Sequence, residues 1–217
     1  MAVNDGYMVY WLSYYFFKFI MIVFFRGKCY GKKNLPKCGP YIAIINHHSI
    51  LDIPAAALAV RGRVSAMVKD SLFEVPGLGW WLRTVNMFPV IRGGGDQRAF
   101  GCALDLIKRG HVLYIAPEGT RKYDPKEPPR AHTGFIRLAQ MAGCEVVPIA
   151  ISGTREALPP GAKFPRFVKV RAMIGEPITL DKVEVIPENY PALQEQANRA
   201  MRAVYRLQDE LNQMDSN

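Results

Sequence analysis

YIAIINHHSILD, residues 41–52, is the stretch on which the reading of the fold turns. Tyr41 to Ile45 are apolar without a break, the pattern of a strand covered on both faces, whereas a half-solvated strand would alternate. A helix is expected from Ser49 to Val60, so chemistry-bearing residues fall in the handover between strand and helix. Outward from there, short apolar runs keep alternating with helical stretches, which marks an α/β domain. Strands are expected at Val64 to Val68, Met87 to Ile91, His111 to Ile115, Glu145 to Ile151 and Phe167 to Ile174. Helices are expected at Asp96 to Arg109, stopped by Gly110 as a C-cap glycine, at Thr133 to Met141, and at Pro191 to Met214. The expected fold is a mixed, mostly parallel sheet flanked by helices. In such sheets ligands sit just beyond the carboxyl ends of the strands.

A chain of 217 residues suits a single domain with a short appendage. With 49% hydrophobic and 11% aromatic residues it is too rich in core-forming side chains for a disordered chain. The net charge of +9 asks for an anionic partner: nucleic acid, an acidic lipid surface, or a phosphorylated small molecule. The four cysteines (Cys29, Cys38, Cys102, Cys144) are widely spaced, with no C-x-x-C pair, and read as reduced thiols in a cytosol-facing protein.

The appendage is the amino-terminal run from Tyr7 to Phe25, whose one formal charge is Lys18. Its length lies near the lower limit for a spanning helix. No basic leader precedes it and no small-residue cleavage site follows, which argues against a secretory signal. Tyr7, Tyr10, Tyr14 and Lys18 form one stripe at helical spacing, opposite Leu12, Phe16, Phe19 and Val23. Arg26, Lys28, Lys32, Lys33 and Lys37 follow, where an anionic leaflet would attract them. A helix lying in the membrane interface is favoured over a single span and over a plain core helix. The expected organisation is a membrane-associated helix over residues 1–30 and an α/β domain over 31–217, monotopic or held by one helix at the cytoplasmic face of the cell membrane.

Four strand ends carry the polar residues of interest. Beyond the first strand, His47 stands five residues before Asp52, a spacing that lets a carboxylate hold one imidazole nitrogen and leave the other as a base. A helix-capping role for the histidines fits this segment equally well. A metal site is weaker, because His47 and His48 are adjacent and no second pair at ligand spacing exists. Beyond the fourth strand, Glu118, Gly119, Thr120 and Arg121 combine a sharp turn with a hydroxyl and a guanidinium suited to phosphate, although an ordinary turn would look similar. Arg92 ends the third strand before three glycines, and is either a phosphate ligand or a solvated side chain. Pro148, inside the fifth strand, points to an edge, a bulge or an altered backbone path.

Taken together and in this order, the four segments resemble the glycerolipid acyltransferase family, whose best known members are the 1-acylglycerol-3-phosphate acyltransferases. The family's His-x4-Asp block falls on His47 and Asp52 within N-H-x-S-x-x-D, and its arginine block on Arg92. P-E-G-T-R falls on Pro117 to Arg121, and apolar-Val-Pro-Ile on Val146 to Ile149. The likeness runs from about Gly31 to Gly175, and the first and third blocks are the specific ones. Ala116 stands where the family usually has Phe, Pro89 alters the spacing before Arg92, and His132 and Thr133 lie where a lysine is common.

The resemblance implies transfer of a fatty acyl group from an acyl thioester, acyl-CoA or acyl-ACP, to the free hydroxyl of 1-acylglycerol-3-phosphate, giving phosphatidic acid. His47 and Asp52 would be catalytic; Arg92, Glu118, Gly119, Thr120 and Arg121 would bind substrate. No metal or cofactor is implied beyond the thioester co-substrate. The implied partners are a phospholipid bilayer and a lysophospholipid acceptor, with no nucleic acid, since the aromatics do not lie among the basic residues. Another lysophospholipid or a glycolipid is the alternative acceptor. Backbone amides near the start of the helix after His47 are the expected oxyanion donors. A serine hydrolase is disfavoured because neither Ser49 nor Ser152 sits in a G-x-S-x-G elbow. A non-catalytic basic membrane module is the remote reading. The apolar residues Phe73, Val75, Leu78, Trp80, Trp81 and Leu82 would either line an acyl tunnel or dip into a bilayer, or else cover the sheet.

Overall fold

The computed structural model describes residues 7–60, 62–91, 95–119, 121 and 130–216. The elements run α1 (Tyr7–Val23), β1 (Lys28–Tyr30), β2 (Tyr41–Ile45), α2 (Asp52–Ala59), β3 (Val64–Lys69), α3 (Leu78–Thr84) and β4 (Phe88–Val90). They continue as α4 (Gln97–Lys108), β5 (Val112–Ile115), α5 (Gly134–Ala142), β6 (Glu145–Ser152), α6 (Thr154–Ala157), β7 (Arg171–Ile174) and α7 (Tyr190–Ser216). The strands form one sheet in the order β1-β7-β6-β2-β5-β3-β4. Every neighbouring pair is parallel except β6 with β7. The mixed, mostly parallel α/β fold is therefore as the sequence leads one to expect.

β2 explains its own composition. Ile42 and Ile44 face a core shared with α4, α5 and α7, whereas Tyr41, Ala43 and Ile45 face a second core with α1 and α2. A strand roofed on both faces needs apolar residues at both parities. At the rim, Asp96 caps α4 by accepting from the amides of Arg98 and Ala99, and its other oxygen accepts from Ile91 N–H.

Two element bounds are corrected, one strand was not foreseen, and the reading of Pro148 is narrowed. α2 begins at Asp52 and not at Ser49, because the Asp52 carboxylate takes the amides of His48 and Ser49 and holds that segment as a tight loop. The last strand begins at Arg171, not Phe167; residues 160–167 are exposed loop. β1, which has no periodic signal in three residues, joins the sheet beside β7. Pro148 does not lie on an edge strand, since β6 runs between β2 and β7. Its carbonyl accepts from Gly175 N–H on the β7 side, where β7 has ended and pairing resumes only at the isolated Val146–Ile178 bridge. The missing N–H of the proline therefore falls in a gap of the ladder. Pro89, by contrast, is on edge strand β4, where a proline is tolerated.

α1 docks with its hydroxyls inward. The Tyr10 hydroxyl donates to the Gly62 carbonyl (3.1 Å) and accepts from Val64 N–H (2.7 Å), and the Tyr14 hydroxyl donates to the Val60 carbonyl (2.8 Å). Burial pushes the Tyr10 phenol up to about 12. Trp81 of α3 donates its indole N–H to Ser13 Oγ. Leu12, Tyr15, Phe16, Phe19, Ile22 and Val23 are left exposed on the far side. No helix among the described residues is long and apolar enough to cross a membrane. The apolar patch foreseen around Phe73 divides: Phe73 and Leu82 pack with Val68, Trp81 packs against Phe17 of α1, and Val75 and Trp80 are exposed.

Replacing Tyr10 by Phe strands the buried Val64 amide, a defect that costs about 1–3 kcal/mol. The expected result is a urea midpoint lowered accordingly, with an unchanged slope of the transition.

Candidate active site

β6, β2, β5, β3 and β4 run the same way, so their carboxyl ends share one rim of the sheet. Adjacent at its centre are the ends of β6, β2 and β5. Asn46 closes the first joint: its side chain donates to the Ile151 carbonyl and accepts from the Ile151 amide, both at 2.7 Å, which extends the β2–β6 ladder by one rung. The next residue, His47, is thereby aimed from a fixed point.

His47 Nδ1 lies 2.9 Å from Asp52 Oδ2, with the imidazole 17% exposed and the carboxylate fully buried. The same Oδ2 accepts the amides of His48 (2.7 Å) and Ser49 (2.9 Å), and Oδ1 accepts the Thr154 hydroxyl (2.6 Å). A buried carboxylate so supplied with donors is compensated as an anion and can hold an N–H on Nδ1. Nε2 is then left as an acceptor, the state a general base requires. His48 is different: burial holds its imidazole below the usual histidine range.

Glu118 turns inward. Its carboxyl is 3% exposed, one oxygen accepting the His47 amide (3.0 Å) and the other the Tyr205 hydroxyl of α7 (2.9 Å). Burial, opposed by those two hydrogen bonds, pushes it up to about 7. Gly119 has φ +65, and a Cβ there would meet the His132 ring at 2.7 Å, so this turn needs glycine. Arg121 follows at the surface. The structure thus gathers His47, Asp52, Glu118 and Gly119 at one rim. Arg92 and Thr120 lie outside the described residues, but Ile91, the neighbour of Arg92, is fixed by its amide to Asp96. β4 stands two strands from β5, roughly 10 Å along the rim.

The amides of His47, His48 and Ser49 are all committed to the Glu118 and Asp52 carboxylates, so any oxyanion donor at this helix start lies beyond Ser49. Ser49 is no nucleophile: it is 3% exposed and its hydroxyl donates to the Leu158 carbonyl. Two residues escaped the sequence reading. Thr154 and Tyr205 reach the site only through tertiary packing, and no local pattern announces them.

Comparison with known proteins adds an independent line. The acyltransferase family model matches residues 26–152. A 1-acyl-sn-glycerol-3-phosphate acyltransferase of Bacillus subtilis is 26% identical over 196 residues, 88% of this chain and 95% of that protein. A chloroplastic 1-acyl-sn-glycerol-3-phosphate acyltransferase of Brassica napus is 30% identical over 169 residues, 75% of this chain; the match spans 48% of that longer protein. The crystal structure of the 1-acyl-sn-glycerophosphate acyltransferase of Thermotoga maritima superposes with a TM-score of 0.71 at 26% identity, covering 94% of this chain and 81% of that one.

Two outcomes are expected from this geometry. Thr154→Val removes a donor from Asp52 and should lower kcat by about tenfold with little change in KM, whereas Thr154→Ser should keep most of it; steady-state kinetics reads both. The Glu118 carboxyl binds its proton more tightly in the fold, near pH 7, than at its ordinary value of 4.5. Its contribution to stability is therefore full below about pH 4.5 and lost as the pH rises through 7. Urea unfolding of Glu118→Gln beside the parent, across pH 4.5–8, should show the parent losing stability relative to the variant in that window.

Proposed function

The chain belongs to the acyltransferase family, and we propose that it moves a fatty acyl group from an acyl thioester to the free hydroxyl of 1-acylglycerol-3-phosphate, forming phosphatidic acid. The observation that carries this reading is the His47–Asp52 pair at 2.9 Å, at the rim of a sheet shared with proteins named for that reaction. Nε2 of His47 takes the acceptor's hydroxyl proton as the oxygen attacks the thioester carbonyl carbon. The tetrahedral oxyanion collapses with loss of the thiolate, which receives the proton back. No covalent enzyme intermediate and no cofactor enter, and the donor is acyl-CoA or acyl-ACP. General-base help of this kind is worth about 10²- to 10⁴-fold.

Arg92, Thr120 and Arg121, with the Gly119 turn, hold the acceptor's phosphate in this scheme. Glu118, with both oxygens engaged inside the fold, belongs with the residues that position His47. The exposed apolar face of α1 rests in the cytoplasmic leaflet, and Lys28, Lys32, Lys33 and Lys37 meet the acidic headgroups. Lipid substrates would then enter the rim from the bilayer. Four free cysteines accord with a cytoplasmic setting.

The test is purified protein given acyl-CoA or acyl-ACP and a panel of lyso-acceptors, with products separated by thin-layer chromatography. Phosphatidic acid from 1-acylglycerol-3-phosphate is the expected product, and equal or better turnover of a phosphate-free acceptor would overturn the assignment. His47→Ala should lose about 10²-fold or more in kcat. The fold is expected to survive, because Asp52 keeps three other donors. Arg121→Ala should chiefly raise KM for the phosphorylated acceptor.

A further inference from the structure

The segment from Pro159 to Lys169 has no part in the mechanism, yet its surface is unusual. Phe164 is 82% exposed and Phe167 59%, and no large hydrophobic side chain among the described residues is more exposed than Phe164. Lys163, Arg166 and Lys169 flank them, all exposed, and no acidic residue occurs between Leu158 and Val170. The loop is also firmly tied. Arg166 N–H donates to the Ala157 carbonyl (2.6 Å) and Ala162 N–H to the Pro159 carbonyl (3.0 Å). Three prolines, Pro159, Pro160 and Pro165, restrict the backbone further. Two phenylalanines displayed to water on a braced loop constitute an exposed apolar patch that calls for a partner.

Its position names the partner. Phe167 packs against Phe24 and Phe25 at the end of α1, with ring centroids 5.5 and 5.9 Å apart, and Arg26 donates to the Phe167 carbonyl. The patch is therefore continuous with the outward face of α1. The stretch of chain leading away from α1, residues 24–40, is also free of acidic residues and carries Arg26, Lys28, Lys32, Lys33 and Lys37. Apolar rings ringed by cations and lacking any anion match an anionic lipid leaflet, where the rings enter the acyl boundary and the cations stay among the headgroups. At its other end the loop meets the candidate active site, since the Leu158 carbonyl accepts from Ser49 Oγ (3.2 Å), two residues from His47.

Extending the membrane reading above, on which it rests, we propose that Phe164 and Phe167, with Lys163, Arg166 and Lys169, form a second anchoring point for an anionic bilayer. α1 supplies one line of contact, and the loop extends it beyond the carboxyl end of the helix. The site rim is thereby held against the leaflet from which its lipid substrates come.

Flotation of the full chain with phosphatidylcholine vesicles, with and without phosphatidylglycerol, tests this. Phe164→Ser with Phe167→Ser should lower the partition coefficient at least about tenfold on the mixed vesicles. Activity toward a short-chain acceptor below its critical micelle concentration should be unchanged, which reports an intact fold and site. Lys163→Glu with Arg166→Glu, two fully surface substitutions, should weaken the preference for phosphatidylglycerol, and this arm stands even where the phenylalanine variant fails to fold. Phe16→Ser with Phe19→Ser serves as the α1 counterpart. If the parent floats and both loop variants float equally well, the loop has no anchoring role and the proposal falls while the α1 reading stands. A parent that does not float at all overturns the membrane reading and the loop with it.

Discussion

A carboxylate buried to zero exposure is among the most demanding groups a fold can contain, and the region around Asp52 is organised by that demand. Four donors converge on it: an imidazole, two successive amides and a threonine hydroxyl. They come from the loop after β2 and from the start of α6 after β6, so satisfying one charge also fastens two strand ends and the head of α2 together. The same four bonds fix the tautomer of His47. Fold and chemistry share this constraint, and the loop from His47 to Leu51 is held out of the helix because its amides are needed by the carboxylate.

A second organising feature is the orientation of α1. A surface helix ordinarily turns its apolar stripe inward and its polar stripe to water. Here the tyrosine hydroxyls of Tyr10 and Tyr14 point inward, where Gly62, Val64 and Val60 offer backbone partners, and a largely apolar stripe remains outside. The backbone groups at the α2–β3 junction thus obtain their hydrogen bonds from phenols, and the helix retains an uncovered hydrocarbon face.

Much of the sheet was legible because its signals are local. Tyr41 to Ile45 announces a doubly covered strand by its unbroken apolar run, and Gly110 marks the end of α4 by its capping chemistry. The His47–Asp52 contact was legible as a spacing, since five residues are one turn and a loop. What escaped depends on distance along the chain. β1 is three residues long and finds its ladder only at Arg171 to Met173. Thr154 and Tyr205 are ordinary residues in sequence and acquire meaning only where β6 and α7 deliver them to Asp52 and Glu118. Glu118 was visible as a member of its motif, but whether it faces inward or toward a ligand is decided by Tyr205, which no local pattern connects to it.

The pairing of β1 with β7 and of Glu118 with Tyr205 sets a timetable for biosynthesis. Strand β1 has its ladder partner, and the His47 loop its last support, only after more than a hundred further residues have been made. At about 5–20 residues per second that interval is on the order of ten seconds. During it the loop that carries His47 lacks the phenol that holds Glu118, so its hydrogen bonds are complete only once α7 has been made and packed.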